Sequence, residues 1–250
     1  MKKLLFIGFL FLLFSCDSEN SWDCTQTAGE TVSKKFVVSE FSKIRIEDDV
    51  TLYLKQGNTQ EIILETGKNL LSDVLVIVEE NTLVVKDRNA CNLVRDYGIT
   101  KIFVTAPNIV EIRNSSAYDV IGEGILNFPK LTLISNSSTG PENIRKSGDF
   151  YLNIVCEEFR VSANGQSVFY ISGFTEIANL NFADEMPRFE GENLLIDKLE
   201  VFQRSANKMV VNPQQSIVGK IMATGDIVSY SRPAVVEVKE FFTGRLLFKD

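Results

Sequence analysis

One short unit recurs across residues 108–233, and it constrains the fold more than any other feature of the chain. Each copy is an apolar-alternating strand, a turn of small polar residues and a second, shorter strand. The first strands begin VEIR at Val110, LTLI at Leu131, FRVS at Phe159, LNFA at Leu180, LEVF at Leu199 and IMAT at Ile221. The turns that follow sit at Asn114, Asn136, Asn164, Asp184, Arg204 and Thr224, spaced 22, 28, 20, 20 and 20 residues. A unit this small cannot bury its apolar face alone, but stacked copies bury a continuous core. Two strands in each period of about 20 residues therefore predict coils of a solenoid. The expected class is all-β: a right-handed parallel β-helix or β-solenoid with a partly antiparallel β-rich N-terminal region. The gap of 28 residues around Gly148-Asp149-Phe150 predicts an added strand or bulge.

Period-two alternation assigns side chains to the interior. Val110, Ile112, Leu131, Leu133, Leu152, Ile154, Phe159, Val161, Leu180, Phe182, Leu199, Val201, Ile221 and Ala223 are expected to point inward, rung on rung. On a second face the same is expected of Val120, Val168, Tyr170, Met209, Val211, Val228 and Tyr230. Phe169, Phe174, Phe189 and Phe202 have the phase least clearly inward. They are candidates for a stacking or docking platform, with packing between coils the commoner use of such rings.

Residues 32–106 read differently. Apolar or alternating runs begin at Phe36, Ile44, Val50, Ile62, Val74, Leu83 and Ile102, with hairpin-sized turns at Gln56-Gly57-Asn58 and Glu79-Glu80-Asn81. Such turns imply antiparallel pairing. Residues 69–73 read as one helical turn or a loop, and no longer helix is expected. This region is expected to cap the solenoid, whose unpaired edge would otherwise invite aggregation. Residues 107–250 then carry the coils and C-terminal strands.

Residues 1–15 read as a signal peptide: Lys2 and Lys3 lead an apolar run from Leu4 to Phe14. That run is too short for a ~30 Å bilayer, which takes about 20 residues. It ends Leu13-Phe14-Ser15-Cys16, which resembles a bacterial lipobox and implies cleavage before Cys16 and acylation of that residue. Residues 16–31 would be the lipid anchor and a polar tether that opens Asp17-Ser18-Glu19-Asn20-Ser21. Acidic residues just after the cysteine resemble the export signal of Bacteroidetes surface lipoproteins. The membrane, reached through Cys16, is thus an expected partner. The expected location is the cell envelope, as an outer-membrane lipoprotein that is surface-exposed or faces the periplasm.

Export permits disulfides. Cys24 and Cys91 stand in polar, irregular surroundings, and pairing them would close a loop of about 68 residues, worth about 4 kcal/mol in the chain-entropy model. Cys156 is in phase with Leu152 and Ile154, and reads as a buried free thiol.

Several stretches together resemble the auto-transporter adhesin, head GIN domain family of secreted or lipid-anchored Bacteroidetes proteins. They are Phe41-Ser42-Lys43-Ile44, the Gln56-Gly57 turn, and Glu65-Thr66-Gly67-Lys68-Asn69-Leu70-Leu71. Asn89-Ala90-Cys91-Asn92 with Arg95-Asp96-Tyr97 is similar to a cysteine segment of its lipoprotein members. Thr105-Ala106-Pro107 precedes the first coil, and Gly225-Asp226-Ile227-Val228-Ser229-Tyr230 with Pro233 resembles the closing motif. The turns depart from the family's Ser-Gly-rich pattern, reading NSSAYD, DEMPRF and RSANKM. The resemblance implies a β-solenoid with a β-rich start, an envelope location and no established enzymatic activity.

The residues narrow the chemistry further. The chain has no histidine, which removes the commonest general base and metal ligand and excludes a serine triad. The acidic pairs Asp48-Asp49, Glu79-Glu80, Glu157-Glu158 and Asp184-Glu185 occupy different phases and read as solvated turns. No aspartate recurs at a fixed position, as calcium-binding repeats require. No cofactor or metal is expected. A net charge of −7, which becomes −9 once Lys2 and Lys3 leave with the leader, argues against nucleic acid as a partner. The expected function is a non-catalytic envelope lipoprotein that presents a solenoid to a glycan or an envelope protein. The alternative is an envelope polysaccharide-processing enzyme on a β-helix scaffold, which would need two carboxylates at a defined separation.

Overall fold

A computed structural model describes residues 23–89, 91–138 and 144–249. The expected leader and the acylated Cys16 lie outside the described residues. Those described form one mixed, mostly parallel sheet of 17 strands with two 3-10 turns, Asp23–Thr25 and Leu71–Asp73, and no α-helix.

The first ten strands are short: β1 (Thr31–Phe36), β2 (Lys43–Asp48), β3 (Val50–Gln56), β4 (Glu61–Gly67), β5 (Val74–Glu79), β6 (Thr82–Asp87), β7 (Thr100–Ala106), β8 (Glu111–Ser116), β9 (Val120–Asn127) and β10 (Lys130–Ser135). Four long ones follow: β11 (Phe150–Ala163), β12 (Val168–Phe182), β13 (Arg188–Gln203) and β14 (Met209–Ile221). Then come β15 (Ile227–Ser229), β16 (Val235–Glu240) and β17 (Leu246–Phe248). They pair in two ladders. The first runs β5, β6, β2, β8, β10, the C-terminal halves of β11 to β14, then β16. The second runs β1, β4, β7, β3, β9, the N-terminal halves of β11 to β14, then β15 and β17. The long strands pass from one ladder to the other and so join both into one sheet.

Alternation explains the first ladder. Ile112, Leu133, Val161, Leu180 and Val201 stand opposite one another on successive strands, and all are buried. A second column, Leu131, Phe159, Ala178, Leu199 and Ile217, is buried beside it. Val110 and Ala223, expected inside, are half-buried at strand ends.

The second ladder corrects the expected phase. Phe169 and Ile171 take the interior, Val168 is half-buried and Tyr170 faces outward. Likewise Ile227 and Ser229 are inside while Val228 and Tyr230 are half-buried. The reason is that two-residue periodicity holds only along an unbroken strand; each turn between ladders resets it. Phe150, Phe169 and Phe189 therefore build a buried column, with the first two rings stacked 4.7 Å apart. Phe174 and Phe202 are half-buried.

The added residues between β10 and β11 form no further strand in their described part; Lys146 instead packs against Gly165, and Phe150 opens β11.

The N-terminal strands join the same stack. β2 and β3 lie between β6–β7 on one side and β8–β9 on the other, all parallel. Ile44, Ile46, Leu52 and Leu54 carry the buried columns through this rung. Antiparallel pairing belongs to β1, β4 and β5, which close that end. The sheet is thus continuous across residues 106–107. Cys24 and Cys91 form a disulfide with Cα atoms 4.5 Å apart, tying the N-terminal arm to the loop before β7. Cys156 is free and buried in β11, and burial pushes its thiol up to about 12.

Candidate functional site

In-register parallel strands bring equivalent side chains to about 4.8 Å, so outward rings at one register position stack. On the outer face of the second ladder, Phe103, Tyr53, Ile121, Tyr151 and Tyr170 occupy one such position on β7, β3, β9, β11 and β12. Tyr53 stacks on Phe103 at 4.8 Å and Tyr151 on Tyr170 at 4.8 Å, the latter pair only 7° from parallel. Tyr151 and Tyr170 are 40% and 39% exposed, unusual for rings that make such contact. Glu190 continues the column on β13 and Val210 on β14.

Carboxylates border the tyrosines. Asp149 accepts a hydrogen bond from the Val168 N–H at 2.7 Å, and the Asp119 carboxylate accepts from the Asp149 N–H at 2.9 Å. Burial lifts the Asp149 carboxyl above its ordinary range, and the neighbouring Asp119 adds to this. The Tyr151 hydroxyl is raised too, by burial first and then by Asp149 and Asp119.

Beyond Tyr170 a groove of about 300 Å³ is lined by Tyr170, Ile171, Ser172, Arg188, Glu190, Glu192 and Asn193. Its far wall is a bulge. Tyr170 pairs with Glu190 but Gly173 pairs with Leu194, so β13 carries an extra residue here. On its other edge Glu190 pairs with Val210 and Leu195 with Asn212, leaving residues 191–194 opposite Val211 alone. Such insertions bend a strand and re-aim its side chains. Glu192 and Asn193 are exposed on the rim, and Asn212 Nδ2 steadies the bulge by donating to the Glu192 carbonyl at 3.0 Å. Glu190 holds Arg188 and, at 3.3 Å, Lys208.

The other polar clusters are paired and dispersed. Lys130 bonds Glu158 at 2.8 Å, and that hydrogen bond holds the Glu158 carboxyl below its usual range. Asn179 donates to Glu200 at 2.8 Å on the same outer face of the first ladder. Lys146 meets Glu185, Arg145 meets Asp49, and Lys86 lies 3.6 Å from Asp48. Glu79 and Glu80 sit in the β5–β6 hairpin. The four acidic pairs of the sequence thus lie at separate turns and converge on no common point. Under the disulfide loop, Asp87 accepts from Thr100 Oγ1 at 2.5 Å and from Asn89, while Arg95 donates to the carbonyls of Cys91 and Asn89. That network closes on itself around a cavity of only about 20 Å³. Among the described residues no group of three or more acidic, Cys or His side chains is arranged to hold a metal.

Sequence reasoning placed Tyr170 inside and passed over Tyr53, Phe103 and Tyr151. A signal was present: the doublets Phe150-Tyr151 and Phe169-Tyr170 recur one rung apart. Adjacent rings in a strand must face opposite ways, one inward and one outward.

A family model described as "Putative auto-transporter adhesin, head GIN domain" matches residues 40–233. No curated protein matches the sequence. A "putative adhesin" from Bacteroides fragilis superposes with a TM-score of 0.78 at 20% identity, covering 89% of this chain and 99% of that one. A "putative adhesin" from Parabacteroides distasonis gives 0.65 at 12% identity, over 89% and 99%. A "putative lipid binding protein" from the same organism gives 0.64 at 13% identity, over 89% and 98%. At these identities the likeness establishes the fold.

Proposed function

The chain belongs to the auto-transporter adhesin, head GIN domain family, and from that membership we propose a non-catalytic cell-envelope lipoprotein that displays a binding face. The two ladders are read as the faces of a flattened β-solenoid, right-handed as parallel crossovers overwhelmingly are. Cys16 anchors it to the outer membrane by its acyl chains, which together hold where a single chain is marginal. Its partner is a glycan or an envelope protein.

The observation that carries this reading is the outward column of Phe103, Tyr53, Ile121, Tyr151 and Tyr170. Outward aromatic side chains on a rigid ladder keep contact area available at little entropic cost, as recognition surfaces do. The dispersed acidic pairs support binding without turnover, because glycoside hydrolysis needs two convergent carboxylates.

The test has two arms. Purified mature chain is screened on glycan arrays and envelope extracts, and incubated with uronate-containing and neutral polysaccharides while reducing ends are assayed. Binding without product release is the expected result; product release overturns it. In cells, wild-type chain takes up labelled palmitate and sediments with membranes, and Cys16→Ser does neither. Retention of label by Cys16→Ser overturns the anchor.

A further inference from the structure

We propose that the groove between Tyr170 and the β13 bulge is a subsite for one neutral hexopyranose unit of a glycan; this rests on the display reading above and specifies its ligand. One face of the Tyr170 ring is covered by Tyr151, stacked across from β11. The other face looks toward β13 and forms one wall of the groove. A pyranose has a C–H face that packs on such a ring and a rim of hydroxyls that both donate and accept. The opposite wall supplies partners for that rim: the Glu192 carboxylate accepts, the Asn193 amide does both, and Ser172 lies on the floor.

Charge selects the class. Glu190 and Glu192 both line the groove, while Arg188 and Lys208 are already paired with Glu190. No uncommitted cation of the lining is left for a uronate or sulfate, and two carboxylates repel it. The volume, about 300 Å³, is at the small end of ligand sites, so it fits a single unit while the rest of the chain lies on the open column. The bulge itself is a purposeful departure from the ladder. Without the extra residues at 191–194 the strand would pair straight across and the rim would not exist.

The test titrates the whole mature chain with neutral oligosaccharides of glucose, galactose, mannose and N-acetylglucosamine, with uronate oligosaccharides as comparators. Binding of at least one neutral series and not of the uronates is expected. Tyr170→Ala should weaken it about tenfold or more. Glu192→Gln should weaken it severalfold with an unchanged melting temperature. Tyr97→Ala, in the loop before β7, should leave it intact. Equal binding by Tyr170→Ala and wild type, or binding of uronates alone, overturns the subsite but leaves surface display standing. So does a wild type that binds no saccharide yet retains an envelope protein. Release of products, by contrast, removes the display reading itself. Should Tyr170→Ala prove unfolded, Glu192→Gln with its intact melt decides.

Discussion

At the scale of single residues, burial controls two groups whose behaviour can be measured. The thiolate is the reactive form of cysteine, and Cys156 is buried with its thiol pushed up to about 12. In a chain carrying Cys16→Ser, an alkylating reagent should label no cysteine of the native protein. It should label one after unfolding without reductant and three after unfolding with it, because Cys24 and Cys91 are joined. Label on the native protein would refute the burial, and three labels without reductant would refute the disulfide. Asp149 is the second case. A carboxyl raised by burial costs the folded state nothing below its ordinary value of 3.8, and the cost grows as pH rises through the raised one. Asp149→Asn keeps an acceptor for the Val168 N–H and removes the charge. Its melting temperature relative to the parent should therefore be more favourable at about pH 7 than at about pH 3.5. A difference that does not vary with pH would count against burial as the cause.

At the scale of elements, the long strands must bend between ladders without losing their hydrogen bonds, and glycine makes this possible at one crowded point. Gly173 lies at the register shift of β12 with φ +111°, and a Cβ there would meet the Ile154 carbonyl oxygen at 2.0 Å. Gly124, in β9, also has positive φ, at +79°, but a Cβ there meets nothing within 4 Å. Gly173→Ala should cost about 2–4 kcal/mol and Gly124→Ala about 1 kcal/mol. Urea unfolding followed by circular dichroism separates them; equal losses would mean that backbone conformation, and not the packing of strand on strand, decides both. Because Gly173 adjoins the bulge behind the groove, the first substitution should also weaken any ligand that Tyr170 holds.

At the scale of the molecule, the order of rungs differs from the order of the chain. β2 and β3 enter first, yet they lie inside the stack, flanked by strands that come 39 and 68 residues later. That arrangement makes residues 23–106 and the rest mutually dependent. A fragment of residues 107–249 would leave β8 and β9 with bare edges and with Ile112 and Val120 uncovered on one side. It should aggregate or remain unfolded, as size exclusion and circular dichroism would report. A monomeric, folded fragment would show that the C-terminal coils are an independent domain. The two ends differ as well. The N-terminal end is closed by antiparallel strands, a disulfide and the lysines of β1, which discourage edge pairing. β16 and β17 end the ladders with exposed Val235, Val236 and Leu247.

The sequence by itself determined the β class, the repeat of about 20 residues, the interior of the first ladder and the buried thiol. All of these follow from local alternation, which any strand obeys wherever it pairs. It also carried the family motifs. Only the tertiary structure decided which strands are neighbours, because partner choice rests on contacts between residues far apart in the chain. The placement of β2–β3 between later rungs was therefore invisible in advance. The same holds for Tyr170. Its phase depends on how many residues the turn at 164–167 uses before the next ladder begins, and that count acquires meaning only once the two ladders face each other across a shared core.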